Sequence, residues 1–278
     1  MRSSISKMSF DIFKTCLDKV SPEVPVHFGG MCEPWLNPEC TDMVLYAYKK
    51  GHKIYVATTL VNMNLSDVDL LQTCSFETFS IHLPSENGLE NISIDDEYLN
   101  VLGKLSKSNI PADYHTHAGK APITIRTMIQ DAILIRPLMT RAANLKSASI
   151  PEPSRKRGRI GCTRNLDWFE LLPNGDVALC CMDFGLKHLL GNLVSDDYDS
   201  LFRSAEYLKV KKGLIDESLD ILCRYCDAFS CDVDFSAKFY NKLANAKRRL
   251  KNIRNLEDFF KFVKGCPKFL HGLIRSRS

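Results

Sequence analysis

The chain has 278 residues, 45% hydrophobic and 25% charged, which leaves room for one large domain or two ordinary ones and excludes wholesale disorder. No run approaches the roughly 18 apolar residues of a membrane-spanning helix. The first twenty residues alternate polar and apolar, without the uninterrupted apolar stretch of a secretory signal. The protein is therefore expected in the cytoplasm, with its 11 cysteines serving as reduced thiols and metal ligands rather than as a disulfide framework. The net charge of +4 is unevenly spread. Residues 236–278 hold 12 of the 37 Lys and Arg against two acids, Glu257 and Asp258, so a basic tail follows a mildly acidic body.

In chain order, Ser9 is positioned to cap a helix running to about Val20, with Phe10, Phe13, Leu17 and Val20 on one face. Val24–Phe28 is a short apolar strand. The next helix has Asn37 as N-cap, Pro38 at its first position and Gly51 just past its end. Lys53–Ala57 is a buried strand, Ser66 opens a short helix, and Phe76–Ile81 is another strand. Asp95 starts a helix carrying Tyr98, Leu99, Leu102 and Leu105, and Ala112–His115 and Ala132–Ile135 complete five strands. Strands separated by helical segments predict a parallel sheet built from βαβ units, either doubly wound or part of a βα barrel.

Residues 151–159 (PEPSRKRGR) read as a linker, and the pattern changes after them. Trp168–Leu172 and Asp176–Cys181 flank Pro173-Asn174-Gly175, a hairpin signal. A helix is expected over Tyr198–Lys212, then a cysteine cluster at 223–231. The tail is expected to be helical, with Leu250, Ile253, Leu256, Phe260 and Val263 on one stripe.

Two constellations carry chemistry. The first is Gly29-Gly30-Met31-Cys32-Glu33-Pro34, followed by Trp35-Leu36-Asn37-Pro38, placed where a strand gives way to a helix. That edge of an α/β fold holds ligands, and paired glycines let backbone approach them closely. The stretch resembles the GGEP region of radical S-adenosylmethionine enzymes. The resemblance implies that Gly29, Gly30, Cys32, Glu33 and Pro34 belong to the loop that holds the amino group of the cofactor's methionine. Cys32 stands where that family often has glycine. More loosely, Thr58-Thr59-Leu60 corresponds to the family's Thr-Asn-Gly.

The second constellation is Cys162, Cys180, Cys223 and Cys226, with Gly175 five residues before Cys180 and Leu190-Gly191-Asn192 after it. Four thiolates from separated segments can complete the shell of an iron–sulfur cluster or a zinc ion. The order resembles the SPASM and twitch extensions of radical S-adenosylmethionine enzymes, and its shorter, one-cluster form fits better than the full pattern. The resemblance implies an auxiliary [4Fe-4S] cluster on Cys162, Cys180, Cys223 and Cys226, with Cys231 as the substitute fourth ligand. Zinc needs the same sulfurs but usually draws them from two close pairs, which Cys162 and Cys180 are not.

The C-x3-C-x2-C spacing of the family's cofactor-cleaving cluster does not occur in these 278 residues. The expectation is a chain that lacks the segment carrying it and does not cleave S-adenosylmethionine by itself. His82, His115, His117 and Arg136 sit at strand ends as substrate-pocket candidates, and His115-Thr-His117 is also a weak metal motif. The basic tail is read as an amphipathic helix packed on the body; the other reading is contact with an anionic surface.

Three regions are thus expected: a partial radical-SAM-type parallel βα barrel over 1–150, a cysteine-rich hairpin-and-helix module over 151–235, and a basic helical tail over 236–278. The implied activity of the complete form is radical modification of a peptide, protein or small molecule, served by an electron donor. The alternatives are a non-catalytic iron–sulfur electron-transfer or binding protein and a zinc-stabilised interaction module.

Overall fold

The structure, a computed structural model, describes residues 7–230 except Leu89, Asn91, Ala118, Gln130, 146–152 and Asn165. Cys231, Cys266 and the tail stripe from Leu250 to Val263 lie outside the described residues.

Helix α1 (Phe10–Leu17) begins as expected, with the Ser9 hydroxyl accepting from the Ile12 N–H. It is followed by β1 (Val26–Phe28), a 3-10 turn (Pro34–Leu36), α2 (Cys40–Lys49), β2 (Ile54–Thr58), α3 (Leu65–Leu71) and β3 (Phe76–His82). Then come α4 (Asp96–Ser106), β4 (Ala112–His117), α5 (Ile123–Met128) and β5 (Ile133–Arg136). The five strands form one sheet in sequence order, every neighbour parallel. This is the expected partial βα barrel. In β2, burial alternates so that Ile54, Val56 and Thr58 point inward. They join Phe79, Ile81, Val101, Leu102 and Leu105 in one apolar core.

Two starts shift. The α2 helix proper begins at Cys40, because Pro34–Leu36 first takes a 3-10 turn and Asn37, preceding Pro38, stays extended. The Asn37 side chain still accepts the Glu39 N–H, as an N-cap does, and donates to the Met8 carbonyl. Helix α3 is capped by Asn64 rather than opened by Ser66. Asn64 and Asp67 form a reciprocal capping box, and a side chain that satisfies two N–H groups sets the start one residue earlier.

The second half is built from shorter pieces: β6 (Gly161–Cys162), β7 (Glu170–Leu171), β8 (Asp176–Ala178), β9 (Leu189–Asn192), α6 (Tyr198–Leu201), α7 (Ala205–Gly213), a 3-10 turn (Leu222–Tyr225) and β10 (Phe229–Ser230). The expected hairpin is present, with Gly175 at φ 87°, and Leu189–Asn192 adds a third antiparallel strand. The second arm is shorter than its apolar run: β8 ends at Ala178, so Cys180 and Cys181 lie in the turn beyond it. The helix expected over Tyr198–Lys212 is two helices, because Ser204 accepts from the Tyr207 N–H and caps a second start. A second apolar cluster (Ile160, Leu179, Leu190, Leu193, Tyr207, Val210, Ile221) underlies this half and takes in Cys16 of α1. Met1–Phe229 forms one compact unit.

Candidate metal centre

The C-terminal ends of the parallel strands carry the first set of candidates. Gly29 and Gly30 leave β1 at φ 147° and 115°, in the region that glycine enters freely. A Cβ at Gly29 would lie 2.8 Å from the Ala57 carbonyl oxygen, and one at Gly30 would run into the Glu170 carboxylate. Glu33 then turns its carboxylate onto the end of the adjacent β2. Its Oε1 accepts from Thr58 Oγ1 at 2.7 Å and from the Trp35 N–H at 3.1 Å. Its Oε2 accepts from the Thr59 N–H at 2.5 Å and from Thr59 Oγ1 at 2.7 Å. The fold thus joins Glu33 to Thr58 and Thr59, and four hydrogen bonds fill the acceptor sites of a carboxylate. Leu60, where the resembling family has glycine, keeps a left-handed backbone at φ 66°. Pro34 opens the 3-10 turn, and Cys32 is exposed.

The second set converges. Cys162 at the end of β6, Cys180 beyond β8, Cys223 in the 3-10 turn and Cys226 at its C-cap all line one cavity. Leu166, Leu179, Met182, Leu222 and Ala228 supply its apolar wall. Burial pushes the Cys180 thiol up to about 12, raises Cys226, and raises Cys223 further with the help of the neighbouring sulfurs. Buried thiols so crowded do not ionise alone, whereas a bound cation offsets the charge and takes the protons' place. The donor set therefore fits a metal or cluster. The Ala228 N–H donates to Cys226 Sγ at 3.3 Å, a bond of the kind that tunes iron–sulfur centres. All nine described cysteines are free.

Residues 162–227 match SPASM, an iron-sulfur cluster-binding domain. The second half of this chain carries a SPASM domain. No curated protein matches the chain. Among solved structures, it is similar to BtrN in complex with AdoMet and 2-DOIA, at TM-score 0.56 and 14% identity over 81% of this chain and 82% of that one. It is also similar to native anSMEcpe with bound AdoMet, at TM-score 0.54 and 13% identity over 91% and 92%. At such identities the likeness is one of fold.

Polar side chains that the sequence did not single out hold the SPASM domain together. Arg224, between the two cysteines of the C-x2-C, is fully buried. Its guanidinium donates to the carbonyls of Lys156, Gly158 and Gly213, and its own carbonyl accepts from the Lys156 N–H. The basic segment around residue 156 is thereby fastened to the cysteine turn. His188, also fully buried, contacts Glu206 at 2.6 Å through Nδ1 and accepts the Leu222 N–H at 2.9 Å through Nε2. Cys181 stays outside the ligand set: Arg164 Nη1 donates to its sulfur at 2.6 Å, and Arg141 reaches both its sulfur and its carbonyl. Glu170, on β7, accepts the Met31 N–H at 3.2 Å, so the second half touches the glycine loop. Burial raises its carboxyl to about 7. In the sequence each of these reads as an ordinary surface charge; only Arg224, inside the C-x2-C, carried a positional signal.

The remaining candidates meet at the ends of β3, β4 and β5. His82 and His115 are register partners, His117 follows on the same face, and Arg136 is the register partner of His117. The three imidazoles lie with ring centroids 4.5–5.4 Å apart. Burial, with Arg136 next, holds His115 down to about 3; burial and His117 lower His82. Among the described residues, no helix is long and apolar enough to cross a membrane.

Proposed function

We propose that the SPASM domain of this protein holds one [4Fe-4S] cluster through Cys162, Cys180, Cys223 and Cys226, and that the chain descends from radical S-adenosylmethionine enzymes. The observation that carries this reading is the convergence of those four thiols on one apolar cavity. The matched domain opens at Cys162 and closes one residue after Cys226, which supports Cys226 over Cys231 as the fourth ligand. When bound, the cluster would supply a one-electron redox centre. The chain's own residues exclude water from it with Leu179, Met182 and Leu222, and set its turn with Arg224 and His188.

The chemistry of this lineage is radical modification of a peptide, protein or small molecule. The glycine loop of this chain supports a narrower role for the 278 residues themselves. Glu33 spends its acceptors on Thr58, Thr59 and Trp35, and Glu170 takes the Met31 N–H, so the loop offers Glu33 no free acceptor for a cofactor's amino group. This chain alone does not cleave S-adenosylmethionine. A non-catalytic electron-transfer role is the second reading. It is favoured by Trp168, which lines the cysteine cavity and is 49% exposed.

The test is anaerobic reconstitution with iron and sulfide, followed by dithionite and S-adenosylmethionine. The expected result is a reducible cluster absorbance with no 5′-deoxyadenosine. One equivalent of zinc with no iron would contradict the cluster. 5′-Deoxyadenosine would contradict the narrower role.

A further inference from the structure

Away from the cysteines, the C-terminal ends of β3 and β4 carry a second set of ligand-type side chains. His82, His115 and His117 each offer one ring nitrogen, and these atoms all lie within 4.8 Å of one another. Two come from the last residues of β3 and β4, and the third from one pleat earlier on β4. The backbone ladder therefore sets their spacing. A carboxylate stands beside one of the three: Glu90 Oε1 is 3.6 Å from His82 Nε2, and the Glu90 side chain is 6% exposed.

Both atoms of that pair are buried without a hydrogen-bond partner. Native proteins rarely leave buried polar atoms so, and each case calls for a reason. A cation between the two atoms satisfies both.

The outer contacts are those of a ligand set. His117 Nδ1 lies 3.2 Å from the Pro137 carbonyl oxygen; donating there frees Nε2 as the lone-pair donor. Ser80 Oγ faces His115 Nδ1 at 3.3 Å. Glu90 Oε2 accepts from the Ser85 N–H at 3.0 Å and from Ser85 Oγ at 2.5 Å, which turns Oε1 toward His82. Imidazoles and carboxylates that bind metals are oriented in this way by carbonyls and hydroxyls. We propose that His82, His115, His117 and Glu90 form a site for one divalent transition-metal cation of the zinc class, separate from the cysteine centre.

Three nitrogens and one oxygen suit zinc, cobalt or ferrous iron, and not magnesium or calcium, which take oxygen ligands. With bonds of about 2.0–2.1 Å, ligands of a tetrahedral ion lie about 3.3 Å apart. The Glu90–His82 pair, at 3.6 Å, is close to that separation, and the three imidazole nitrogens stand within 4.8 Å of one another. The His82 side chain is 26% exposed, so one side of the site stays open to water or a small ligand.

Cobalt(II) is the probe, titrated anaerobically into full-length protein whose cysteine centre carries its cluster. The expected result is one equivalent bound with visible d–d bands and no thiolate-to-cobalt charge transfer. His117→Ala, at a half-buried position, should weaken that binding by about 100-fold or more, and Glu90→Gln by about tenfold. Cys226→Ala should leave the nitrogen-ligated signal in place. A far-UV circular dichroism spectrum and thermal midpoint unchanged from wild type in His117→Ala confirm that this variant is folded. Absence of cobalt binding, binding seen only through thiolate charge transfer, or unchanged affinity in His117→Ala would overturn the site. None of these outcomes depends on the identity of the cysteine-bound metal.

Discussion

The two halves of this chain are held by different forces. In the parallel sheet, strands of up to seven residues are hydrogen-bonded side by side over a continuous apolar core, and α1, α3 and α4 start at side-chain caps. In the SPASM domain, strands run two to four residues and cannot fix the chain path by themselves. Buried polar groups do it instead: Arg224 gathers three carbonyls, His188 ties α7 to the cysteine turn, and Asp183 accepts the N–H groups of Lys187 and His188. A region built to present four sulfurs gives up regular hydrogen bonding for side chains of fixed reach.

The sharpest way to break this comparison is Arg224→Ala. It leaves three carbonyls without their buried donor and should cost about 3–5 kcal/mol, with loss of bound iron. Denaturant midpoints together with iron analysis check it; a stable variant with full iron would show that the turn is set by other contacts. Leu102→Ala, in the sheet core, should cost about 3 kcal/mol through the cavity it opens, yet leave iron content per folded chain unchanged.

The contact between the halves has its own signature in pH. Because burial raises Glu170 from 4.5 to about 7, the folded state binds its proton more tightly than the unfolded state. Its contribution is therefore fully present below about pH 4.5 and is lost as pH rises through about 7. Glu170→Gln keeps an acceptor for the Met31 N–H and should flatten this part of the stability–pH curve relative to wild type. Identical slopes for the two proteins would mean that the carboxyl is solvated. The smallest effect belongs to Asp95→Ala, which removes the acceptor for the Tyr98 N–H and should cost about 1 kcal/mol without change at the cysteine cavity.

The same contrast explains what could be read ahead of the structure. Ile54-Tyr55-Val56 and Phe76–Ile81 announce strands because their burial is driven by apolar side chains at strand period. Asp95 and Gly51 mark helix ends because their chemistry is local. That Cys162, Cys180, Cys223 and Cys226 meet at one cavity was legible through their spacing. Arg224, His188, Glu170 and Glu90 were not. A buried charged side chain and a solvated one look alike until distant segments, such as residue 156 or Gly213, are folded against it. His82, His115, His117 and Arg136 were readable together as strand-end candidates, but that His82 stands directly beside His115 follows only from the parallel register of β3 on β4.

The central claim is that the four converging cysteines hold an iron–sulfur cluster. Iron and acid-labile sulfide per chain, measured after anaerobic reconstitution of wild type, Cys226→Ala and Cys231→Ala, test it most directly. The account predicts about four of each in wild type and in Cys231→Ala, as a [4Fe-4S] cluster requires, and a loss in Cys226→Ala. Zinc in place of iron in wild type, or a loss in Cys231→Ala with Cys226→Ala unchanged, would contradict it.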